Sequence, residues 1–169
     1  MEIVYETTRL QLCVFNEAHL KYVKEFWGDK EVMDLCNGAT AHHLLPQIIE
    51  GYRNCHLKYN LSVYAVKEKK SNIIIGAAGF NITNTAETVE LIYHFSKKYW
   101  GKGFATEAAQ ACIEIAKHHG MVRIIHASTD PQNKDSLKIL EKVGFIYTGM
   151  KWFEDTKQEE PFYKYKIQD

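Results

Sequence analysis

The sequence predicts a single α/β domain spanning residues 1–169, and three observations predict it. Apolar residues alternate with period two in several short runs and recur at helical spacing in others, and the two kinds of run are interleaved along the chain. No linker, internal repeat or low-complexity tract separates one part from another. A chain of 169 residues with 46% hydrophobic and 25% charged residues is enough for one full core and has the ordinary composition of a folded domain.

Taken in order, "IVYETTRLQLCV" (3–14) reads as a strand through Leu10, Leu12 and Val14. Asn16 is placed to cap a helix over "EAHLKYVKEFW", where Leu20, Val23 and Trp27 share a side. "LLPQIIEGYRNCHL" reads as a helix after Pro46, with Ile48, Ile49 and Tyr52 on one side. The period then changes to two: "LSVYAV" and "NIIIGAAGF" read as strands around the turn "KEKKS". In the third strand, "TVELIYHF" (88–95), Val89, Leu91, Tyr93 and Phe95 take one face and Glu90, Ile92 and His94 the other. A glycine-bearing stretch leads into the helix "ATEAAQACIEIAKHH", which Gly120 ends. "VRIIHAST" is a strand, and "DPQNKDSLKILEKVGF" is a turn and a helix with Leu137, Leu140 and Val143 inward. Two closing strands, "FIYTGMKWF" and "EPFYKYKI", flank the polar loop "EDTKQEE".

Charge and composition narrow the partners. Lys plus Arg and Asp plus Glu are 21 each, so no global field attracts nucleic acid, and none is expected as a partner. The opening residues lack a basic start followed by an apolar run, and no stretch reaches bilayer-spanning length, so no membrane partner and a cytoplasmic location are expected. Cys13, Cys36, Cys55 and Cys112 are far apart with no Cys-x-x-Cys and read as buried thiols. His42-His43 and His118-His119 are adjacent pairs whose rings diverge on a helix, so no metal site is expected.

The chemistry concentrates in "KKYWGKGFATEA" (97–108). A loop entering a helix presents free N–H groups and the positive end of the helix dipole, a combination that binds phosphate. The stretch is not a Walker A loop, because its lysine stands between the glycines. Nor is it a dinucleotide fingerprint, because position 106 is Thr and the loop follows a late strand. On the loop alone, a tight strand-to-helix turn with Trp100 packed as core competes with a phosphate cradle.

The surrounding motifs resemble a known family. "YWGKGFATEA" resembles the pyrophosphate-binding motif of the GNAT superfamily of N-acetyltransferases, and more closely its RimJ/RimL-like branch of ribosomal-protein N-terminal acetyltransferases. "ETTRLQL" and "NKDSLKILEKVGF" are similar to two further motifs of that branch, correctly spaced. The resemblance implies a central mixed, mostly antiparallel twisted sheet of about seven strands flanked by helices. It implies an acetyl-CoA-dependent transferase, monomer or homodimer, that acetylates a primary amine by direct attack in a ternary complex. The alternative is a catalytically silent acyl-CoA-binding or regulatory domain.

What the resemblance implies for individual residues is specific. The pyrophosphate rests on the loop Trp100, Gly101, Lys102, Gly103, Phe104, Ala105 and Thr106, with Lys98 supplying charge in place of the usual Gln or Arg. The pantetheine arm runs along the main chain of Tyr93, His94 and Phe95, where an N–H polarises the thioester carbonyl. Glu90 is the general base, with His94 a second candidate. Asn133 contacts the cofactor and Ser136 serves the departing thiolate, because Leu140 stands where many members carry a tyrosine acid. Locally, Asn133 and Ser136 also read as a helix cap satisfying each other's N–H groups, and Glu90 as a solvated strand residue. Two departures stand out: Ile92 replaces the branch's Gly and either narrows the cleft beside the thioester or alters the strand's local splay, and Cys13 replaces a frequent Arg. Residues 26–60 and the 154–160 loop wall the acceptor cleft, with Trp27, Tyr52, Arg53, Glu154, Asp155, Glu159 and Glu160 as possible contacts. A protein N-terminus, a polyamine, an aminoglycoside and a free amino acid all stay open as acceptors.

Overall fold

The computed structural model describes residues 2–168 and gives one eight-stranded sheet. The eighth strand comes from the start of the chain, where one strand was expected. β1 (Ile3–Glu6) and β2 (Leu10–Cys13) form a hairpin closed by the Thr7 N–H donating to the Leu10 carbonyl at 2.9 Å. Asn16 caps as expected, its side chain accepting from Ala18 N–H while the His19 ring accepts from Asn16 N–H. The helix it starts is shorter than its periodicity suggests. A 3-10 turn leads into α1 (Leu20–Val23), and Trp27 N–H and Gly28 N–H both fold back onto the Val23 carbonyl. The apolar spacing there reflects burial of a compact coil, not a continuous helix.

α2 (Lys30–Met33) is capped by Asp29, and α3 (Leu45–Tyr59) carries Pro46 in its first turn and ends on left-handed Asn60. β3 (Val63–Glu68), β4 (Ile73–Asn81) and β5 (Thr88–Phe95) follow as antiparallel neighbours. Next come α4 (Phe104–His119), β6 (Ile124–Ser128), α5 (Lys134–Lys142), β7 (Ile146–Phe153) and β8 (Gln158–Lys166). The strand order is β1-β2-β3-β4-β5-β6-β8-β7, and only β5 and β6 run parallel.

Strand alternation splits the apolar residues between two faces. On one, Leu12, Phe80 and Leu91 pack under α4 and α5 with Phe104, Ile113 and Leu140. On the other, Phe15, Val63 and Ala77 pack under α1–α3 with Phe26, Trp27 and Ile49. The faces of β5 are those read from the sequence: Tyr93 leans on the first core and Ile92 on the second. Only Cys13 and Cys112 of the four cysteines are buried; Cys55 is half-buried and Cys36 exposed.

The parallel pair positions the site. β5 faces β6 only from Thr88 to Glu90, opposite Ile124 to His126. From Leu91 to Phe95 it has no partner on that side among the described residues, so the sheet opens between the two strands.

Candidate active site

The open edge of β5 runs directly into the glycine loop. After Ser96 a 3-10 turn (Lys97–Tyr99) reverses the chain, and Trp100, Gly101, Lys102 and Gly103 lead into α4. Gly101 and Gly103 have φ of 73° and 82°, the left-handed region that a side chain disfavours. A Cβ at Gly101 would meet nothing within 4 Å, so this glycine answers to backbone conformation rather than to crowding within the protein. Glu107 is the first α4 residue whose N–H reaches back to an i−4 carbonyl, that of Gly103 at 3.1 Å. The N–H groups of Phe104, Ala105 and Thr106 precede it and have no intrahelical acceptor. Trp100 is 49% exposed, which removes the packed-core alternative, and its indole N–H donates to the Phe95 carbonyl at 2.8 Å. Lys98 and Lys102 are exposed beside the Tyr99 ring.

A clamp that the sequence reading did not assign holds this loop. Arg9 Nε donates to Glu107 Oε1 at 2.7 Å, while Arg9 N–H and the Thr7 hydroxyl donate to Glu107 Oε2. Arg9 Nη1 donates to the Lys102 carbonyl at 3.0 Å, and the guanidinium covers the Phe104 ring at 4.2 Å. The β1–β2 hairpin is thereby tied to both the loop and the first turn of α4. Partial burial pushes the Glu107 carboxyl up, but the bonds from Thr7 and Arg9 outweigh it and hold the group below the usual glutamate range. The motifs "ETTRLQL" and "ATEA" were both visible; what was missing was that the Arg of one meets the Glu of the other.

Alternation decides which β5 backbone groups face the opening. Ser96 N–H donates to the Ile75 carbonyl, so residues two and four before it also turn toward β4. Leu91, Tyr93 and Phe95 therefore present N–H and C=O to the open side, with the Phe95 carbonyl already capped by Trp100. His94, expected to contribute main chain there, faces β4 instead; its carbonyl lies 2.4 Å from where a Cβ on Gly76 would stand.

On the α4–α5 side, the Tyr93 hydroxyl reaches Ser136 across the gap, 2.8 Å from its Oγ and 3.2 Å from its carbonyl. Asn133 caps α5 by accepting from Ser136 N–H at 3.2 Å. The expected reciprocal cap is only half made: Asn133 N–H donates to the Asp130 carbonyl, which leaves the Ser136 hydroxyl for Tyr93. Burial pushes the Tyr93 phenol up to about 12, with the Ser136 bond opposing. Leu140 is core, 1% exposed.

On the α1–α3 side, Glu90 Oε1 accepts from Asn81 Nδ2 at 3.2 Å, and Asn81 Oδ1 accepts from Tyr52 Oη at 3.4 Å. His94 lies between Trp27 Nε1, 3.3 Å from its Nδ1, and Cys36 Sγ, 3.3 Å from its Nε2. Burial pulls His94 down to about 4, so the ring is neutral near pH 7. Indole N–H only donates, so Nδ1 accepts and Nε2 carries the proton toward Cys36. Cys36 is exposed as a residue, yet its sulfur turns inward onto His94. Burial, then the carboxylates of Glu160, Glu90 and Asp155, push its thiol up to about 11. Asn37 Nδ2 donates to Asp155 Oδ2 at 3.0 Å, tying the two expected walls of the cleft together. Glu160 is 5% exposed and accepts from Gln158, while Arg53, Glu154 and Glu159 lie exposed. Trp27 is 4% exposed and packs against Tyr52, the rings tilted by 42° with centroids 5.5 Å apart.

Residues 9–146 match the acetyltransferase (GNAT) domain. The chain belongs to that family. It is 28% identical to the uncharacterized N-acetyltransferase p20 of Bacillus licheniformis, over 89% of this chain and 85% of the relative. An acetyltransferase from Salmonella typhimurium that modifies the N-terminal serine of a 50S ribosomal subunit protein superimposes with a TM-score of 0.84 at 17% identity, covering 99% and 100% of the two chains. The microcin self-immunity acetyltransferase MccE, solved with acetyl-CoA and AMP, superimposes with a TM-score of 0.80 at 16% identity over 95% and 94%. The fold of this GNAT chain is thus that of solved acetyltransferases, ribosomal-protein N-terminal acetyltransferases among them.

Proposed function

We propose that this GNAT acetyltransferase moves the acetyl group of acetyl-CoA onto a primary amine by direct attack while both are bound. The observation that carries the reading is the continuity of the open β5 edge with the N-terminus of α4. One path offers strand-like backbone groups for an extended amide-bearing arm and, at its end, free N–H groups and a helix dipole for a pyrophosphate. Gly101, Lys102, Gly103, Phe104, Ala105 and Thr106 hold the phosphates by main chain, with Lys98 and Lys102 adding diffuse charge. Leu91, Tyr93 and Phe95 supply the strand edge, and an N–H among them polarises the thioester carbonyl. Asn133, at the mouth of the gap, borders the arm.

Glu90 takes the proton that the amine must lose. It lies on the α1–α3 face at the last position of β5 that pairs with β6, and Asn81 orients its carboxylate. His94 is poorly suited to this role, because one nitrogen already accepts from Trp27 and the other already carries a proton. An amine enters over Trp27 and Tyr52, where the charges of Glu90, Glu160 and Asp155 favour its approach.

The test is a thermal-shift comparison of acetyl-CoA, CoA, ATP and NAD, followed by an amine screen read as thiol release. A ligand at about a hundredfold over its Kd adds roughly 2.7 kcal/mol. A shift with acetyl-CoA and CoA alone is expected, and a shift only with ATP or NAD overturns the reading. Cofactor binding with no amine turned over favours the silent acyl-CoA-binding alternative.

A further inference from the structure

We propose that the Tyr93 phenol, not the Ser136 hydroxyl, protonates the departing thiolate, with Ser136 serving to orient and recharge it. The inference rests on the reading that the cofactor arm occupies the gap beside β5. Three observations support it.

The phenol spans that gap. Tyr93 stands on β5 and its hydroxyl lies 2.8 Å from Ser136 Oγ, on the first turn of the helix that follows β6. A group threaded between β5 and β6 therefore passes this pair of hydroxyls. The chemistry also separates the two. An aliphatic alcohol is a far weaker acid than a thiol and cannot pass it a proton without a large uphill step, whereas a phenol is within a few units of a thiol. Finally, Tyr93 and Glu90 stand three residues apart on opposite faces of one strand, about 10 Å along it. The base faces the α1–α3 side and the acid the α4–α5 side, so one proton is taken and another given on either side of the reacting carbonyl.

The step balances. The amine nitrogen forms its bond to the carbonyl carbon and loses one proton to Glu90, which passes it to solvent. The carbon–sulfur bond breaks with its electron pair on sulfur, and sulfur takes the Tyr93 proton. The phenolate recovers a proton from solvent through the Ser136 hydroxyl. The net change is one amine and one thioester converted to one amide and one thiol. Raised by burial, the phenol stays protonated across the working pH range and is available as a donor.

The experiment compares Tyr93→Phe, Ser136→Ala and a chain carrying 3,5-difluorotyrosine at position 93. Thiol release from acetyl-CoA is read with the fastest amine found and with water as acceptor, because the thiolate must leave in both. Tyr93→Phe is expected to lower kcat at least thirtyfold while leaving the CoA thermal shift unchanged. Ser136→Ala should cost less than Tyr93→Phe. The fluorinated phenol is more acidic, and a high-pH fall in kcat should move down into the measurable range, which a purely structural role would not produce. A Tyr93→Phe enzyme within threefold of the parent, a larger loss in Ser136→Ala, or an unchanged profile with the fluorinated residue overturns the proposal. Absence of any CoA shift in the parent chain would remove the cofactor reading first, and this one with it.

Discussion

The two sides of the β5 opening are built from different materials. The side that meets the α4 N-terminus is made chiefly of main chain: two glycines at positive φ, the unpaired N–H groups of a 16-residue helix, and the bare edge of a strand, with the Tyr93–Ser136 hydroxyl pair set against it. The side under α1–α3 is made of side chains: Glu90 held by Asn81, His94 between Trp27 and Cys36, and Asp155 linked to Asn37 from a segment 118 residues away. Backbone-made sites depend on conformation and tolerate most side-chain changes. Side-chain-made sites depend on which residues the fold brings together and fail one group at a time.

The sharpest way to break that contrast is at Gly103. Gly103→Val places a β-branched side chain at φ of 82°, 3.4 Å from the Arg9 guanidinium at its Cβ, and should weaken CoA at least a thousandfold, about 4 kcal/mol, with the sheet still folded. Isothermal titration of a circular-dichroism-verified variant checks it; retained affinity would mean the loop does not cradle phosphate. Next in size, Glu90→Gln should lower kcat about a hundredfold, as loss of a general base does, with CoA affinity unchanged. Steady-state rates with the amine identified by screening test that split.

Arg9→Met joins the two sides of the comparison, since a side chain there supports a main-chain site. Expected are about tenfold weaker CoA and roughly 1–2 kcal/mol of lost stability, the cost of leaving the part-buried Glu107 short of donors. Urea titration with and without CoA measures both. The parent's bond at Glu107 also carries a pH signature: a carboxyl held below its usual value contributes stability above that value, and the contribution is lost as pH falls through the lowered one.

His94→Gln tests the side-chain-built wall through pH. The native ring titrates at about 4 against about 6.5 when unfolded, so the unfolded chain takes up the proton first as pH falls. Stability of the parent should therefore decline from about pH 6.5 to about 4. The variant should show a shallower slope in urea midpoints across the range, the remainder belonging to His19 and His126, which burial also lowers. The smallest effect belongs to Lys98→Ala. Its ammonium is exposed, and CoA affinity should fall only about threefold and less so at high salt. A hundredfold loss would shift the phosphate contact from backbone to side chain.

Legibility in the sequence follows the same division. The loop was readable because glycine spacing reports backbone conformation locally, and the faces of β5 because alternation is a local rule. The eighth strand was missed because Thr7, Thr8 and Arg9 lack Gly or Pro to announce a turn, so 3–14 read as one strand. The helix beginning at Asn16 was overextended because buried coil and helix share apolar spacing over so short a run. Arg9–Glu107, Tyr93–Ser136 and Trp27–His94–Cys36 each join residues distant in sequence, and no local pattern carries their pairing.

By itself, the sequence determined the α/β class, the order of most elements, the glycine loop that leads into a helix and the two faces of the strand beside it. All of these follow from backbone preferences and short-range periodicity. Only the tertiary structure decided that β5 and β6 part after Glu90, that Arg9 holds the loop, that Ser136 is bonded to Tyr93 rather than spent on its own cap, and that His94 turns its backbone to β4 and its ring to Trp27. Each is a choice among partners available only once the chain is packed, when desolvation makes an unpaired buried donor or acceptor costly and favours whichever partner lies within reach.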